Sequence, residues 1–128
     1  MKKRAVRHNQ RTRDALYAIG AELVSLCERR VGHGDGQSHA VDLHGVADIE
    51  AIVGGEVWWV QVCSSSGASS RKKKILENPN VPILLEAGKV LVFAWDKPGR
   101  FWRAAIWELS QEPNPWLRRR DLEEHLAR

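Results

Sequence analysis

The sequence predicts one α/β domain, a central mixed sheet with helices on its flanks and an antiparallel hairpin in its middle. Three observations carry this. The 128 residues suffice for a single core and are too few for two. Two runs of apolar alternation, Val46 to Val53 and Glu56 to Cys63, flank Gly54-Gly55, a two-residue hairpin turn signal. Periods of helix and of strand then follow each other as helix, strand, strand, strand, helix, strand, strand, the order of a mixed sheet with helical connections.

Residues 5–19 read as a helix, with Ala15, Leu16, Tyr17 and Ile19 as its apolar stripe and Gly20 as its stop. Glu22 to Cys27 alternates and reads as the first strand. The stretch RRVGHGDGQSHAVDLHG is rich in Gly, His and Asp, has no period, and reads as a loop long enough to suggest a functional role. After the hairpin comes SSSGASS, where Ser69 or Ser70 is placed to cap a helix that starts at Arg71 and ends at Asn78-Pro79. Pro82 to Ala87 reads as one or two helical turns, with Gly88 at the C′ position. Lys89 to Trp95 is an apolar strand, Lys97-Pro98-Gly99 a turn, and Phe101 to Leu109 another strand. Past Pro113 and Pro115, LRRRDLEEHLAR reads as a charged tail or short helix, which divides the chain into a domain of residues 1–112 and a tail of 113–128.

No run of roughly 18 apolar residues offers a membrane span, and the basic start is not followed by the apolar stretch of a secretory signal. A cytoplasmic protein is the expectation, in a bacterial or phage-infected cell, with Cys27 and Cys63 as free thiols. The net charge of +4 matters less than its distribution. Lys2, Lys3, Arg4, Arg7, Arg11 and Arg13 crowd the N-terminus, Arg71 to Lys74 form a second block, and Arg118 to Arg120 a third. Three basic clusters in so small a domain point to a polyanion, DNA above all.

The hairpin holds the candidate site. With Gly54 and Gly55 as the loop, Val53 faces Glu56 and Asp48 faces Gln61, close enough for the two to share one hard cation. By the period of two, Glu50 and Cys63 share their face, whereas Ile49, Val60 and Val62 face the other way. A carboxylate, a second oxygen and a nearby cation are the recipe for metal-dependent phosphodiester cleavage: the metal polarises the phosphate and acidifies a bound water. Asp48, Gln61 and the Val62 carbonyl are the oxygen donors expected here. Cys63 occupies the place where a cation is expected, and the nearest replacements are Arg71, Lys72, Lys73 and Lys74.

VADIEAIVGGEVWWVQVCSSS resembles the core of the PD-(D/E)XK nuclease superfamily, in particular the archaeal-type Holliday junction resolvases and their small phage relatives. Asp48 matches the motif Asp, with Gly45 three residues before it; Gln61 stands where that family has Glu or sometimes Gln; Cys63 departs from the motif Lys. The wider pattern VDLHG…DIEAI…VQVCSSS…SSRKKKI…LLEAGKVLVFAW…WR resembles a subgroup in which basic residues after the Ser-rich segment replace that Lys, and Arg71 and Lys74 are the matching positions. The resemblance implies a restriction-endonuclease-like fold and a Mg²⁺- or Mn²⁺-dependent endonuclease that hydrolyses DNA at branched structures such as Holliday junctions, acting as a homodimer. Asp48, Gln61, Arg71 and Lys74 are then catalytic. The N-terminal basic residues with Lys72 and Lys73 grip DNA, while Asp42 supports Asp48 and His44 contacts phosphate. The additional Glu often found on the first helix of these nucleases has only Asn9 and Asp14 as neighbours in position.

Other readings stay open: a nuclease fold kept for DNA binding alone, a nuclease acting on ordinary duplex, and an interaction protein without nucleic acid. His33, His39 and His44 with Asp35 and Asp42 fit no compact zinc spacing, and no His/Asp arrangement of recognisable spacing activates Cys63 as a nucleophile. Of the six Trp residues, Trp58 and Trp59 take opposite faces of the hairpin, and Trp95, Trp102 and Trp107 are expected in the core or at a dimer surface.

Overall fold

The computed structural model describes residues 4–27, 30–32, 38–40, 43–110 and 115–127. Helix α1 (Arg4–Ile19) leads through Gly20 into β1 (Ala21–Leu26), and a small two-stranded ladder follows, β2 (Arg30–Gly32) with β3 (Ser38–Ala40). Then come the hairpin β4 (Ile49–Val53) and β5 (Glu56–Ser64), a 3₁₀ turn (Ser65–Gly67), helices α2 (Ala68–Leu76) and α3 (Val81–Ala87), and β6 (Gly88–Asp96). β7 (Arg103–Leu109), β8 (Trp116–Arg118) and α4 (Arg120–Leu126) complete the order. The main sheet has six strands in the order β1-β4-β5-β6-β7-β8. Every neighbouring pair is antiparallel except β5 and β6, which run parallel because the α2–α3 connection crosses over between them.

The hairpin register is the one the Gly-Gly turn dictates: Val53 pairs with Glu56 and Ile49 with Val60. Gly54 (φ +59°) and Gly55 (φ +79°) both lie in the left-handed region, the requirement of a type I′ turn. Both faces of the sheet centre are covered, which is why Trp58–Cys63 and Val90–Trp95 are buried without interruption. On one face α1 and α4 cover Ile49, Trp58, Val60, Phe93 and Ile106, with Leu16 fully buried among them. On the other, α2 and α3 bring Ile75, Val81 and Leu84 against Trp59, Cys63, Val90 and Val92. Each such side chain contributes about 1.5–3 kcal/mol by leaving water. Thr12, a fully buried polar side chain of α1, donates to the His8 carbonyl (2.8 Å) and accepts from Trp95 Nε1 (2.8 Å).

Several expectations change. Tyr17 is 46% exposed and stands outside the apolar stripe of α1, its hydroxyl accepting from the Val24 amide instead. The Gly/His loop contains the short β2–β3 ladder. The helix expected from Arg71 starts at Ala68, behind the 3₁₀ turn, and neither Ser69 nor Ser70 caps it; Ser70 bonds back to the Gly67 carbonyl. Gly88 is not a left-handed C′ residue: its φ of −178° is extended and it opens β6, where a Cβ would lie 2.0 Å from the Val57 carbonyl oxygen. Residues 116–118, expected in a tail, form the edge strand β8, and Leu122 and Leu126 of α4 pack on the α1-side core. Of the late-strand Trp residues, Trp95 is buried in the core with Trp58, Trp59 and Trp116, Trp107 is half-buried, and Trp102 is 38% exposed. No helix among the described residues is long and apolar enough to cross a membrane.

Strand directions decide what gathers where. β5 and β6 end on one rim of the sheet, and β4, antiparallel to β5, begins there. α1 runs back along β1, so its N-terminal half reaches the same rim, as the Thr12–Trp95 bond requires.

Candidate functional site

Asp48 sits at that rim, one residue before β4, at the end of a tight turn from Leu43 to Ala47. The turn needs two left-handed residues, His44 (φ +57°) and Gly45 (φ +75°), and its carbonyls are tied down from outside. Asn78 Nδ2 donates to Gly45 O (3.2 Å) and Asn80 Nδ2 to His44 O (3.1 Å), while the Asn80 amide donates to Asn78 Oδ1 (2.8 Å). The α2–α3 junction thus fixes the turn that carries the acid. The backbone of Asp48 is ordered on both sides, its amide donating to Val60 O (2.9 Å) and its carbonyl accepting from Cys27 N (2.7 Å). The His44 ring stands edge-on to Trp59, with centroids 6.2 Å apart.

As expected, Asp48 faces Gln61. Asp48 Oδ2 accepts from Gln61 Nε2 at 2.5 Å and from the Val62 amide at 2.9 Å. Gln61 is 2% exposed, a buried amide whose position the carboxylate compensates. Cys63, two residues on, is buried on the same face in contact with the α2 core. Burial raises its thiol pKa above the ordinary 9.0; Arg71 opposes that shift, Asp48 adds to it and Lys72 opposes it. Two cations of α2 therefore act electrostatically on the Cys63 thiol.

These two differ in setting. Arg71 is half-buried at the start of the helix. Lys72 points across the sheet, its Nζ 3.5 Å from the Trp107 ring centre, where burial and then Arg118 lower its pKa. Arg118 covers the same indole at 5.0 Å and is paired with Glu123. Lys73 and Lys74 are exposed on the same helix. Of the N-terminal cations, Arg11 lies over Trp102, its guanidinium 4.0 Å from the ring centre, and Arg13 pairs with Asp14 at 3.4 Å. Arg4 and Arg7 fall in α1 with their side chains outside the described residues, as do Lys2, Lys3 and Asp42 altogether. The same holds for His33 and Asp35 of the zinc reading.

The donor set suits one hard cation, sparsely. Asp48 supplies the only carboxylate of the pair. Gln61 supplies an amide oxygen once its NH₂ turns away from Asp48, and the Val62 carbonyl shares the strand edge of its N–H. Mg²⁺ commonly takes one or two carboxylates and completes its shell with water and phosphate. No group of three His, Cys, Asp or Glu side chains forms a metal cage among the described residues. No protein-family model, curated protein or solved structure matches the chain.

Asn78 and Asn80 were not among the site residues legible in the sequence, where Asn78-Pro79 reads only as a helix stop. The pattern NPN directly before a helix was the available signal, since Asn side chains bond neighbouring backbone.

Proposed function

We propose that the chain is a metal-dependent DNA endonuclease of restriction-endonuclease-like fold, working at branched DNA. One observation carries the reading: a carboxylate and an amide meet across a hairpin at the rim where parallel strands end, and the charges of Arg71 and Lys72 on α2 act on Cys63 two residues on. The αβ order with an antiparallel hairpin followed by a parallel crossover strand supports the fold assignment, and ligands of open α/β sheets bind outside the carboxyl ends of parallel strands. Asp48, Gln61 and the Val62 carbonyl would hold Mg²⁺ or Mn²⁺, which when bound polarises the phosphate and generates hydroxide near neutral pH. Arg71 balances phosphate charge, with Lys72 behind it and Lys74 exposed on the helix for contact with the DNA backbone. The Asn78–Asn80 clamp keeps Asp48 at its angle. Buried Cys63 keeps its proton and fills space instead of taking the lysine's role.

A second reading follows from the direction of one hydrogen bond. The Gln61 amide offers its NH₂ to Asp48, an arrangement complete without a metal, and so favours a nuclease fold kept for holding DNA. Cleavage of a labelled four-way junction, and of a linear duplex of the same sequence, in Mg²⁺, Mn²⁺ or EDTA separates the two. Metal-dependent cuts confined to the junction and lost in Asp48→Ala are the expected result. Tight binding without cuts under either metal would replace the enzyme with the binding protein, and equal cutting of duplex would remove the branched substrate.

A further inference from the structure

We infer that the loop between β6 and β7, residues 97–102, is a base-stacking clamp that gives the site a preference for unpaired DNA strands. The inference rests on the nucleic-acid reading above and names its substrate class. The loop leaves the sheet where β6 ends, and Ser64↔Trp95 and Cys63↔Ala94 are direct register partners. It therefore leaves the sheet at the same rim as Asp48 and Gln61, on the strand beside β5, beginning five residues beyond Val92, the register partner of Gln61. Phe101 is 68% exposed and Trp102 is 38% exposed, in a domain whose other indoles on the sheet are buried or capped.

Their surroundings are cationic. Arg11 lies over one face of Trp102, with Lys97 Nζ 5.7 Å from the same ring centre and the His8 ring edge-on at 5.1 Å. Arg100 and Arg103 are exposed on either side of the two aromatics. The nearby acids are already engaged: Asp14 pairs with Arg13, Asp96 accepts from the Lys97 amide, and Glu123 is paired with Arg118. A cleft of about 820 Å³ opens beneath the loop and is lined by Phe101, Trp102, Trp95, Arg103 and Ser65, the residue that follows β5. That volume is ample for a nucleotide, and the cleft reaches from the aromatics and the α1–α4 side, Ala15, Glu123 and Leu126, to Ser65 just past the end of β5. Exposed aromatics beside fixed cations on an open groove are what single-stranded nucleic acid requires: a π-face for each base and positive charge for the backbone. A continuous duplex presents no base face to them. Four-way junctions, flaps and frayed ends do.

Phe101 tests this without disturbing the fold, since it packs on little and is exposed. Binding is measured by fluorescence anisotropy with two probes, a labelled oligothymidylate and a blunt hairpin duplex, using the full chain in EDTA. Phe101→Ala is expected to weaken oligothymidylate binding about tenfold, the loss of one stacked base, with hairpin binding unchanged within about twofold and the thermal midpoint unmoved. Phe101→Trp should restore or tighten the single-strand affinity. Equal losses on both probes, or no loss on either, would overturn the clamp, and so would a wild-type chain that binds neither. Asp48→Ala run beside it keeps the two proposals apart. Single-strand binding retained in Asp48→Ala, with no junction cutting by the wild-type chain in Mg²⁺ or Mn²⁺, would leave the clamp standing and remove the nuclease.

Discussion

Replacing Gln61 by glutamate sets a second carboxylate against Asp48 in a site that is 2% exposed at position 61. The existing contact between the two side chains is 2.5 Å. Two full charges at such range repel by about 4 kcal/mol at 4 Å and an effective dielectric of about 20. The protein avoids that cost only by keeping one carboxyl protonated. Holding a glutamic acid neutral at pH 7.5, about three units above its ordinary value, costs about 4 kcal/mol as well. Gln61→Glu should therefore lower the melting midpoint in EDTA by roughly 15 °C, taking about 4 °C per kcal/mol for a domain of this size. The sign with pH follows. The folded-state pKa is raised, so the native state binds the extra proton, and the deficit shrinks as pH falls toward about 4 and grows as pH rises. A divalent cation between the two carboxylates reverses the effect. Mg²⁺ at a hundredfold excess over its dissociation constant returns about 2.7 kcal/mol, or roughly 10 °C, and does so far more in the variant than in the parent. Differential scanning fluorimetry in EDTA and in Mg²⁺ reads both numbers. A variant that melts within about 2 °C of the parent in EDTA would show that the two side chains are not held together. A variant that is destabilised but equally insensitive to Mg²⁺ would show that the pair is no metal site.

Two further outcomes test the frame around the site. Gly88→Ala drives a Cβ to 2.0 Å from the Val57 carbonyl oxygen and 3.2 Å from the Trp59 ring, both parts of the adjacent strand, so it should cost about 2–3 kcal/mol by overpacking, read as a midpoint fall of roughly 10 °C; an unchanged midpoint would contradict the β5–β6 pairing. The Cys63 thiol, pushed up by burial with Asp48 adding and Arg71 and Lys72 opposing, should alkylate with iodoacetamide more slowly at pH 8 than after unfolding in guanidinium. Its folded state holds the proton through the window above 9.0, so this group's contribution to stability falls as pH rises there. Native labelling as fast as that of the unfolded chain would place Cys63 outside the core.

What the sequence made legible was whatever rests on local period and turn chemistry. The Gly54-Gly55 pair permits one tight hairpin, and the period of two then places Asp48 opposite Gln61 without further information. The strands at Lys89 and Arg103 carry enough apolar or alternating residues to stand out. β8 does not: its three residues, Trp116, Leu117 and the first of a run of arginines, have no period, and only pairing with β7 makes them a strand. The start of α2 was hidden because Ser-rich sequence reads as loop and no side chain caps the helix there. The cations could be counted but not sorted. That Arg71 is half-buried and Lys72 reaches across the sheet to Trp107 while Lys73 and Lys74 face solvent depends on the helix phase against a sheet, a tertiary fact. Exposure was likewise invisible, so the buried Trp58 and the accessible Trp102 looked alike.

The crossover between β5 and β6 gives the two halves of the candidate site unequal dependence on chain connectivity. Asp48 and Gln61 are joined by a closure of two residues, Gly54 and Gly55, whereas the strand that fixes α2 in place returns only after residues 65–87. On loop-closure grounds the longer connection carries an entropy cost about 2 kcal/mol greater. The register that opposes Asp48 to Gln61 is thus set by one hairpin, while the turn that carries Asp48 and the cations of α2 depend on the crossover. Loosening the crossover would release the Asn78 and Asn80 bonds to the turn before Asp48 together with the placement of Arg71 and Lys72, so residues 65–87 hold both the acid's turn and the positive charge of α2.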